Sequence, residues 1–341
     1  MRIFTVVSNL GMVGLGHHYA QAFAELDHDV LLHGLEDVDG LTFRGKVVAR
    51  VKRMKPFLWL TRAKQREQLM SAATDFRPDI AIFMGAGGWE AALIRFLKSL
   101  CRGRVVVMAT DNPMVAPGLQ SLEWLEGLRE FDTVFVHAKY MIPAFYQLGA
   151  QRVELYGLSY NPKIHFPRSV SEVGTSISYI GTWGLLQEMW LDRLAAEFQL
   201  KIYGNGWQRA AGKSGARACW AKGEGRGSEM ATAISSSKIT FNMVRAEHGS
   251  VGSMKTFEIP ACGGFMLTNW TEDQATLFED GKECVFYNTM EEMIEKVKYY
   301  LENDGEREKI RRAGMAAVAP HTYKNSAIAL LNFMETRRAV V

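Results

Sequence analysis

A segment near the C-terminus, residues 254–267, combines the residue types that a phosphate-containing ligand requires. Its sequence, MKTFEIPACGGFML, predicts a short helix, a break at Gly263 and Gly264, and then a buried strand. The N-terminus of a helix and flexible glycines offer free backbone N–H groups to an anion. Glu258, within the helix, can accept hydrogen bonds from the two hydroxyl groups of a ribose. The segment therefore favours a sugar nucleotide as the ligand.

Further polar residues lie just ahead of this helix and at its start. The run Ile239–Met243 predicts a strand, and a polar cluster follows it. Arg245 or Lys255 would neutralise the negative charge that builds on a diphosphate leaving group. We expect this region to bind the sugar nucleotide, called the donor below. The candidate donor-binding residues are Asn242, Arg245, His248, Lys255 and Thr256.

Two loops that contain glycine and tryptophan follow the first two predicted strands of the C-terminal half. They are Gly181-Thr182-Trp183 and Gly204-Asn205-Gly206-Trp207. Loops at the carboxyl ends of parallel strands line ligand sites, so we expect this pair to hold the base and phosphates of a donor. The candidate residues are Gly181, Thr182, Trp183, Asn205 and Gly206. The alternative, that Trp183 and Trp207 are core aromatic residues, explains the pattern equally well.

The loop after the first predicted strand is also rich in glycine. Its spacing differs from a dinucleotide fingerprint that starts at Gly14, because Tyr19 stands where the third glycine is required, and a dehydrogenase is therefore disfavoured. Gly14 and Gly16 would let the backbone approach a phosphate or an acceptor. His17 and His18 begin the following helix and are candidate catalytic residues, or alternatively only cap and cover that helix.

The elements that must position these residues alternate between apolar strands and amphipathic helices, which is typical of Rossmann-like α/β domains. In the first half we predict strands at 3–7, 30–33, 79–84, 105–109, 133–136 and 153–156, and helices at 17–26, 62–76 and 88–100. Residues 157–173 lose this pattern and contain two prolines, which indicates an interdomain linker. In the second half we predict strands at 177–180, 200–203, 239–243 and 265–267, and helices at 185–198, 228–236, 253–262, 290–303 and 321–337.

Composition is that of a soluble globular protein of two domains, with 341 residues, 48% hydrophobic and 23% charged. Apolar runs are too short to cross a bilayer and the first residues predict a strand rather than a signal peptide, so we expect a cytoplasmic protein. The four cysteines lack zinc-site or redox spacing. Asp37 and Asp39 resemble a metal-binding carboxylate pair, but they stand in a polar loop and we interpret their spacing as coincidental. No metal site is therefore predicted.

One basic run makes the distribution of charge along the chain uneven. Between Thr42 and Arg66 there are nine Lys or Arg residues and no Asp or Glu, with Phe57 and Trp59 among them. Such a run is usually a solvated face, although it can also contact polyanions. The candidate partners are an anionic membrane surface and a polyanionic acceptor, either a phosphate-containing polymer or modified, hydroxymethylated DNA.

The C-terminal half resembles the CgeB-like glycosyltransferases, relatives of the large retaining glycosyltransferase group. The resemblance rests on residues 254–267 and on the segments that flank them: 178–183, 201–207, 277–283, 291–301, 307–310 and 313–314. It implies an α/β, GT-B-like fold of two Rossmann-like doubly wound domains facing a central cleft. The implied boundaries are 1–156 for the acceptor-side domain, 157–176 for the linker, 177–320 for the donor domain and 321–341 for a helix that packs back on the first domain.

The resemblance also assigns roles to individual residues. Asp111, in an Asp-Asn-Pro turn after a predicted strand, resembles a catalytic residue near the transferred sugar, although such turns also form for local reasons. Lys255 stands where the family commonly has arginine. The wider group has two glutamates with seven residues between them, and the first of these positions is occupied here by Ser250.

The function that these patterns imply is transfer of a sugar from a nucleoside diphosphate sugar, with a UDP-sugar favoured, to an acceptor hydroxyl. Retention of configuration and independence of metal follow from the resemblance alone, and no bound cofactor is expected. One alternative is a sugar-nucleotide epimerase on the same scaffold. Another is a non-catalytic surface-assembly protein that retains the fold, which the serine at position 250 makes credible.

Overall fold

The computed structural model describes residues 1–9, 14–36, 55–85, 90–101, 104–110, 122–170, 174–223, 225–244 and 252–336. The chain divides into two compact units. Unit 1 comprises Met1–Gly157 together with Tyr323–Val341, and unit 2 comprises Leu158–Thr322. Across the described ranges, every helix is too short or too polar to span a bilayer.

The described residues of unit 1 form a six-stranded sheet in which all neighbouring strands are parallel. Its strands are β1 (Arg2–Asn9), β2 (Asp29–Glu36), β3 (Ile80–Met84), β4 (Val105–Ala109), β5 (Thr133–Val136) and β6 (Val153–Leu155), in the order β2-β1-β3-β4-β5-β6. Every residue of β3, β4 and β5 is buried. This explains their continuous apolar sequences, because a parallel sheet is covered on both faces.

Five helices in the described part of residues 1–157 connect these strands. They are α1 (Leu15–Ala24), α2 (Lys55–Phe76), α3 (Ala91–Leu100), α4 (Leu122–Glu130) and α5 (Met141–Gln147). Gly16 lets α1 approach β1 closely, since a Cβ atom at this position would lie 2.1 Å from Val7 Cγ1. The requirement for glycine at this position thus comes from helix–strand packing.

The C-terminal helix, Tyr323–Thr336, completes the core of unit 1. Its buried residues recur at helical spacing and pack with Tyr19 and Phe23 of α1: Tyr323, Ala327, Leu330, Leu331 and Met334. The helix therefore belongs to the first unit although it follows the whole of the second in sequence.

The described residues of unit 2 form a five-stranded parallel sheet. Its strands are β7 (Thr175–Ile180), β8 (Leu200–Tyr203), β9 (Ser237–Asn242), β10 (Met266–Asn269) and β11 (Val285–Tyr287), in the order β11-β10-β9-β7-β8. The helices are α6 (Leu185–Ala195), α7 (Gly215–Ala218), α8 (Gly227–Ser235), α9 (Met254–Ala261), α10 (Glu272–Leu277), α11 (Met290–Glu302) and α12 (Asp304–Val318).

The prediction of two Rossmann-like α/β domains is confirmed by these two sheets and their helices. Six of these elements were not predicted: the helices α4, α5, α7, α10 and α12 and the strand β11. The segment predicted as a linker is more ordered than its prolines suggest, since Ser159, Asn161 and His165 within it are buried in unit 2. Strand β7 begins at Thr175, inside the linker bounds 157–176.

Candidate functional site

The candidate site lies at the edge of unit 2 where the carboxyl ends of its parallel strands meet. The loops after β7 and β8 emerge at this edge, and so do Met243 and Val244, which directly follow β9. Arg245, His248 and Ser250 belong to residues 245–251, which lie outside the described part of the chain. The described residues that can be placed here are therefore those of the two loops and of α9.

Glu258 is the central charged residue of α9. Its side chain is 7% exposed, and Lys255 Nζ lies 2.5 Å from its Oε2 atom, one turn earlier on the same helix. On the other side, His165 Nε2 lies 3.7 Å from Glu258 Oε1. Burial of an ionised group is costly unless it is paired, and the contact with Lys255 supplies the pairing. Lys255 and Glu258, two predicted donor-binding residues, are thus brought into direct contact.

His165 was not predicted from the sequence as a site residue. Its ring is 4% exposed, and its Nδ1 accepts a hydrogen bond from the backbone N–H of Asn161 at 3.1 Å. Desolvation lowers the pKa of His165 below its usual value of 6.5, opposed by the nearby Glu258 and assisted by Lys255 and Arg168. Burial thus favours the neutral ring.

Thr256 and Asn242 belong to a buried hydrogen-bond network. Thr256 Oγ1 accepts from the backbone N–H of Ser253 at 3.0 Å, which closes the first turn of α9, and lies 3.1 Å from Gln274 Oε1. Gln274 Oε1 is 3.3 Å from Thr268 Oγ1, and Asn242 Nδ2 donates to Thr268 Oγ1 at 3.2 Å. These contacts give both predicted residues a structural role, which is to fix the start of α9 against β9 and β10.

Gly263 and Gly264 end α9 rather than face an anion. The N–H of Gly263 donates to Pro260 O at 2.8 Å, and the N–H of Gly264 donates to Ile259 O at 2.9 Å. Gly263 has a φ of +70°, the left-handed conformation that glycine favours after a helix. The prediction that these two glycines offer free N–H groups is wrong, because both amides already satisfy carbonyl groups of the last helical turn.

Indole N–H groups hold the loops after β7 and β8. Trp207 is fully buried and its Nε1 donates to Gly181 O at 2.9 Å, while Trp220 Nε1 donates to Gly204 O at 3.0 Å. Gly204 has a φ of +127°, and a Cβ atom there would lie 2.3 Å from Gly181 O. The two loops therefore contact each other too closely for any side chain at position 204, and the core interpretation of Trp207 is confirmed.

Trp183 links the first of these loops to α6. Its Nε1 donates to Glu188 Oε2 at 2.6 Å, and its backbone N–H donates to Asn205 O at 2.9 Å. Gly206, with a φ of +87°, lies next to it. Thr182 and Asn205 are exposed at the same edge, where a ligand could reach them. The structure thus brings the predicted donor-binding loop residues together.

The predicted catalytic residues of unit 1 have different surroundings. His18 is buried and stacks on Tyr323 of the C-terminal helix, with ring centroids 4.8 Å apart. This contact gives His18 a packing role in the core of unit 1. His17 is partly exposed in the first turn of α1, beside Gly14, the residue that precedes the helix. Asp111 lies in residues 111–121, outside the described part of the chain.

The basic run falls mostly outside the described residues, which omit 37–54. Arg66, near its end, pairs within unit 1, its Nη1 atom lying 2.8 Å from Glu90 Oε2. Over the ranges that the structure describes, there is no cluster of three or more His, Cys, Asp or Glu side chains placed to hold a metal ion.

Comparison with known families finds one match, which covers part of unit 2 and the C-terminal helix. Residues 184–332 match the family model described as glycosyl transferase-like. This range includes α9 and therefore Lys255 and Glu258. No curated protein sequence matches the chain significantly.

Comparison with solved structures finds similarity over the whole chain. The complex of Anabaena HepE with UDP-glucose is 12% identical with a TM-score of 0.66, covering 98% of this chain and 99% of HepE. Sucrose-phosphate synthase from Thermosynechococcus elongatus is 12% identical with a TM-score of 0.65, covering 100% of both chains. A Listeria monocytogenes protein assigned as a UDP-N-acetylglucosamine 2-epimerase is 11% identical with a TM-score of 0.56, covering 100% of this chain and 97% of that one. These similarities show the GT-B fold, which confirms the fold prediction.

Proposed function

We propose that the chain is a nucleotide-sugar-dependent glycosyltransferase whose unit 2 binds the nucleoside diphosphate sugar. The observation that carries the proposal is the buried Glu258, paired with Lys255 in α9 at the carboxyl edge of a parallel sheet. The glycosyl transferase-like family match over residues 184–332 supports it, because that match includes this helix. The GT-B fold supports it as well, and UDP is the favoured nucleotide because HepE, similar in fold, was solved with UDP-glucose.

The side chains of α9 supply two kinds of interaction. An ionised carboxylate only accepts hydrogen bonds, and its two oxygens can receive both hydroxyl groups of a ribose. Lys255 and the N-terminal end of α9 provide positive charge for a diphosphate, whose charge increases as the sugar bond breaks. Thr182 and Asn205 lie on the neighbouring loops and complete the donor side.

We further propose that the sugar is transferred to an acceptor hydroxyl with retention of its anomeric configuration and without a bound metal. We assign the acceptor to unit 1, with His17 and Asp111 as the residues that act on it. An anionic acceptor or surface fits the basic run between Arg44 and Arg66. Binding through that run is expected to weaken steeply with salt.

The test of the proposed function is a thermal-stability screen with UDP, UDP-glucose, UDP-N-acetylglucosamine, ADP and GDP. A ligand at a hundred times its dissociation constant stabilises the folded state by about 2.7 kcal/mol, which raises the melting temperature measurably. Uridine nucleotides are expected to stabilise more than ADP or GDP. Equal melting temperatures with and without every nucleotide would contradict donor binding.

Epimerisation of the donor is a second candidate, favoured by the similarity to the Listeria monocytogenes protein. An epimerase converts its nucleotide sugar in the absence of any acceptor, whereas a transferase needs one. Incubation with the donor alone, followed by chromatography of the nucleotide sugars, distinguishes the two reactions.

The two histidines of α1 are expected to respond differently to replacement by alanine. His17→Ala should lower turnover about a hundredfold, the lower range for a group that moves a proton, with little change in donor affinity. His18→Ala should instead lower the free energy of unfolding by about 1–2 kcal/mol, because it removes a buried ring stacked on Tyr323. Steady-state kinetics and urea unfolding of both variants provide the measurements. Wild-type turnover in His17→Ala would remove this residue from the reaction.

A further inference from the structure

A buried group of charged and titratable residues surrounds Glu258, and part of it comes from outside α9. Lys255 contacts one oxygen of the carboxylate at 2.5 Å, on the same helix. His165 contacts the other oxygen at 3.7 Å and comes from the segment that precedes β7. Each carboxylate oxygen therefore faces a different neighbour.

A tight turn holds the His165 ring in place. The backbone N–H groups of Ile164 and His165 both donate to Asn161 O, at 3.0 Å and 2.8 Å. Asn161 Oδ1 accepts from the N–H of Lys163 at 3.0 Å, and the N–H of Asn161 itself donates to His165 Nδ1 at 3.1 Å. The turn thus determines both the position and the orientation of the imidazole.

The same hydrogen bond determines the tautomer of the ring. Because Nδ1 accepts the N–H of Asn161, it carries no proton, and in the neutral ring the proton must be on Nε2. Nε2 is the atom that faces Glu258 Oε1. The protonated nitrogen of the neutral ring is therefore the one that lies nearer the carboxylate, 3.7 Å from Oε1.

We propose that His165 is a positioning residue for the donor site, whose Nε2–H orients Glu258 so that its carboxylate can receive the ribose hydroxyls. The inference rests on the proposed function. Without the imidazole, the carboxylate keeps its contact with Lys255 on the same helix and can rotate towards that side. Donor affinity then falls although Glu258 and Lys255 are both present.

Two substitutions separate this role from a merely structural one. His165→Gln keeps an N–H donor near the position of Nε2 but loses the ring acceptor of the Asn161 N–H. His165→Asn keeps an acceptor near the position of Nδ1 but is too short to reach Glu258. Orientation of the carboxylate requires the N–H donor, which His165→Gln keeps. Stability of the turn requires the acceptor of the Asn161 N–H, which His165→Asn keeps.

The test measures the dissociation constant for UDP by titration calorimetry, with the melting temperature of each variant as a check on folding. His165→Asn is expected to bind UDP about tenfold more weakly than wild type, and His165→Gln within about threefold of it. Wild-type affinity in His165→Asn, or a greater loss in His165→Gln than in His165→Asn, would overturn the proposal. His321→Asn is the matched control and should bind UDP as wild type does, because His321 is a partly buried histidine of unit 2 that packs on Phe257 rather than on Glu258.

A second measurement does not depend on nucleotide binding. The pKa of His165, followed by NMR of its ring protons, should fall in Glu258→Gln, because the carboxylate charge opposes the lowering that burial causes. An unchanged pKa would show that the two groups are not coupled and would overturn the inference. If UDP binds none of the proteins, including wild type, the proposed function fails, and the NMR result alone decides whether His165 acts on Glu258.

Discussion

Replacement of Glu258 by alanine is expected to weaken donor binding by about 10- to 150-fold. Hydrogen bonds to a charged group contribute about 1.5–3 kcal/mol, and each 1.4 kcal/mol changes the dissociation constant tenfold. The side chain is nearly buried and already held by Lys255, so little conformational entropy is lost when a ribose binds. Calorimetric titration with UDP measures the effect.

Two further variants make this result specific. Glu258→Gln retains the shape of the side chain, and a similar loss of affinity in it would assign the effect to the charge. Glu306→Ala removes an exposed glutamate that makes the same i,i+3 contact with Lys309, at 2.8 Å, and should leave affinity unchanged. Wild-type affinity and activity in Glu258→Ala would remove this residue from the site.

Replacement of Trp207 by alanine is expected to lower the free energy of unfolding by about 3–5 kcal/mol, the range for a large buried aromatic side chain. The ring is fully buried, and its Nε1–H donates to Gly181 O. It also packs edge-on against Tyr179, with ring centroids 6.0 Å apart. The loss should also reach the site, because Gly181 begins the loop that carries Thr182 and Trp183. Urea unfolding and UDP titration measure the two effects.

The phenylalanine variant separates packing from the hydrogen bond. Trp207→Phe keeps most of the apolar contact but leaves the Gly181 carbonyl without its indole partner, which should cost about 1–3 kcal/mol. Trp270→Ala is the control, since Trp270 is 50% exposed and its removal should change stability by no more than about 0.5 kcal/mol. A stability equal to wild type in Trp207→Ala would contradict the described packing.

The elements that the sequence predicts most accurately are those with continuous apolar runs. Strands β4 and β5 have the predicted bounds, because strands covered on both faces leave an uninterrupted hydrophobic signal. Helix α12 was missed because seven of its 15 residues are charged, and only a narrow stripe is buried: Arg307, Ile310, Gly314 and Val318. Strand β11 has only three residues, too few for a periodic pattern.

The candidate site was predicted in part for a similar reason. Lys255 and Glu258 are one helical turn apart, so local spacing suffices to bring them together. His165 reaches Glu258 only through the tertiary fold, and its two flanking prolines made its segment resemble a linker. Gly263 and Gly264 carried a signal that fits two roles, since glycine is favoured both near phosphates and after helices, and only the positions of their N–H groups distinguish the two.

The position of the C-terminal helix has a consequence for protein synthesis. Unit 2 is contiguous in sequence, so all of its residues have been translated before Tyr323 is added. Unit 1 begins first but lacks its last core helix until residues 323–336 have been translated, so until then Tyr19 and Phe23 of α1 stay without the contacts that this helix supplies. The nascent chain therefore contains every residue of its second unit before it contains every residue of its first, and a ribosome that stalls after residue 322 would hold a chain in which unit 2 has its full sequence and unit 1 does not.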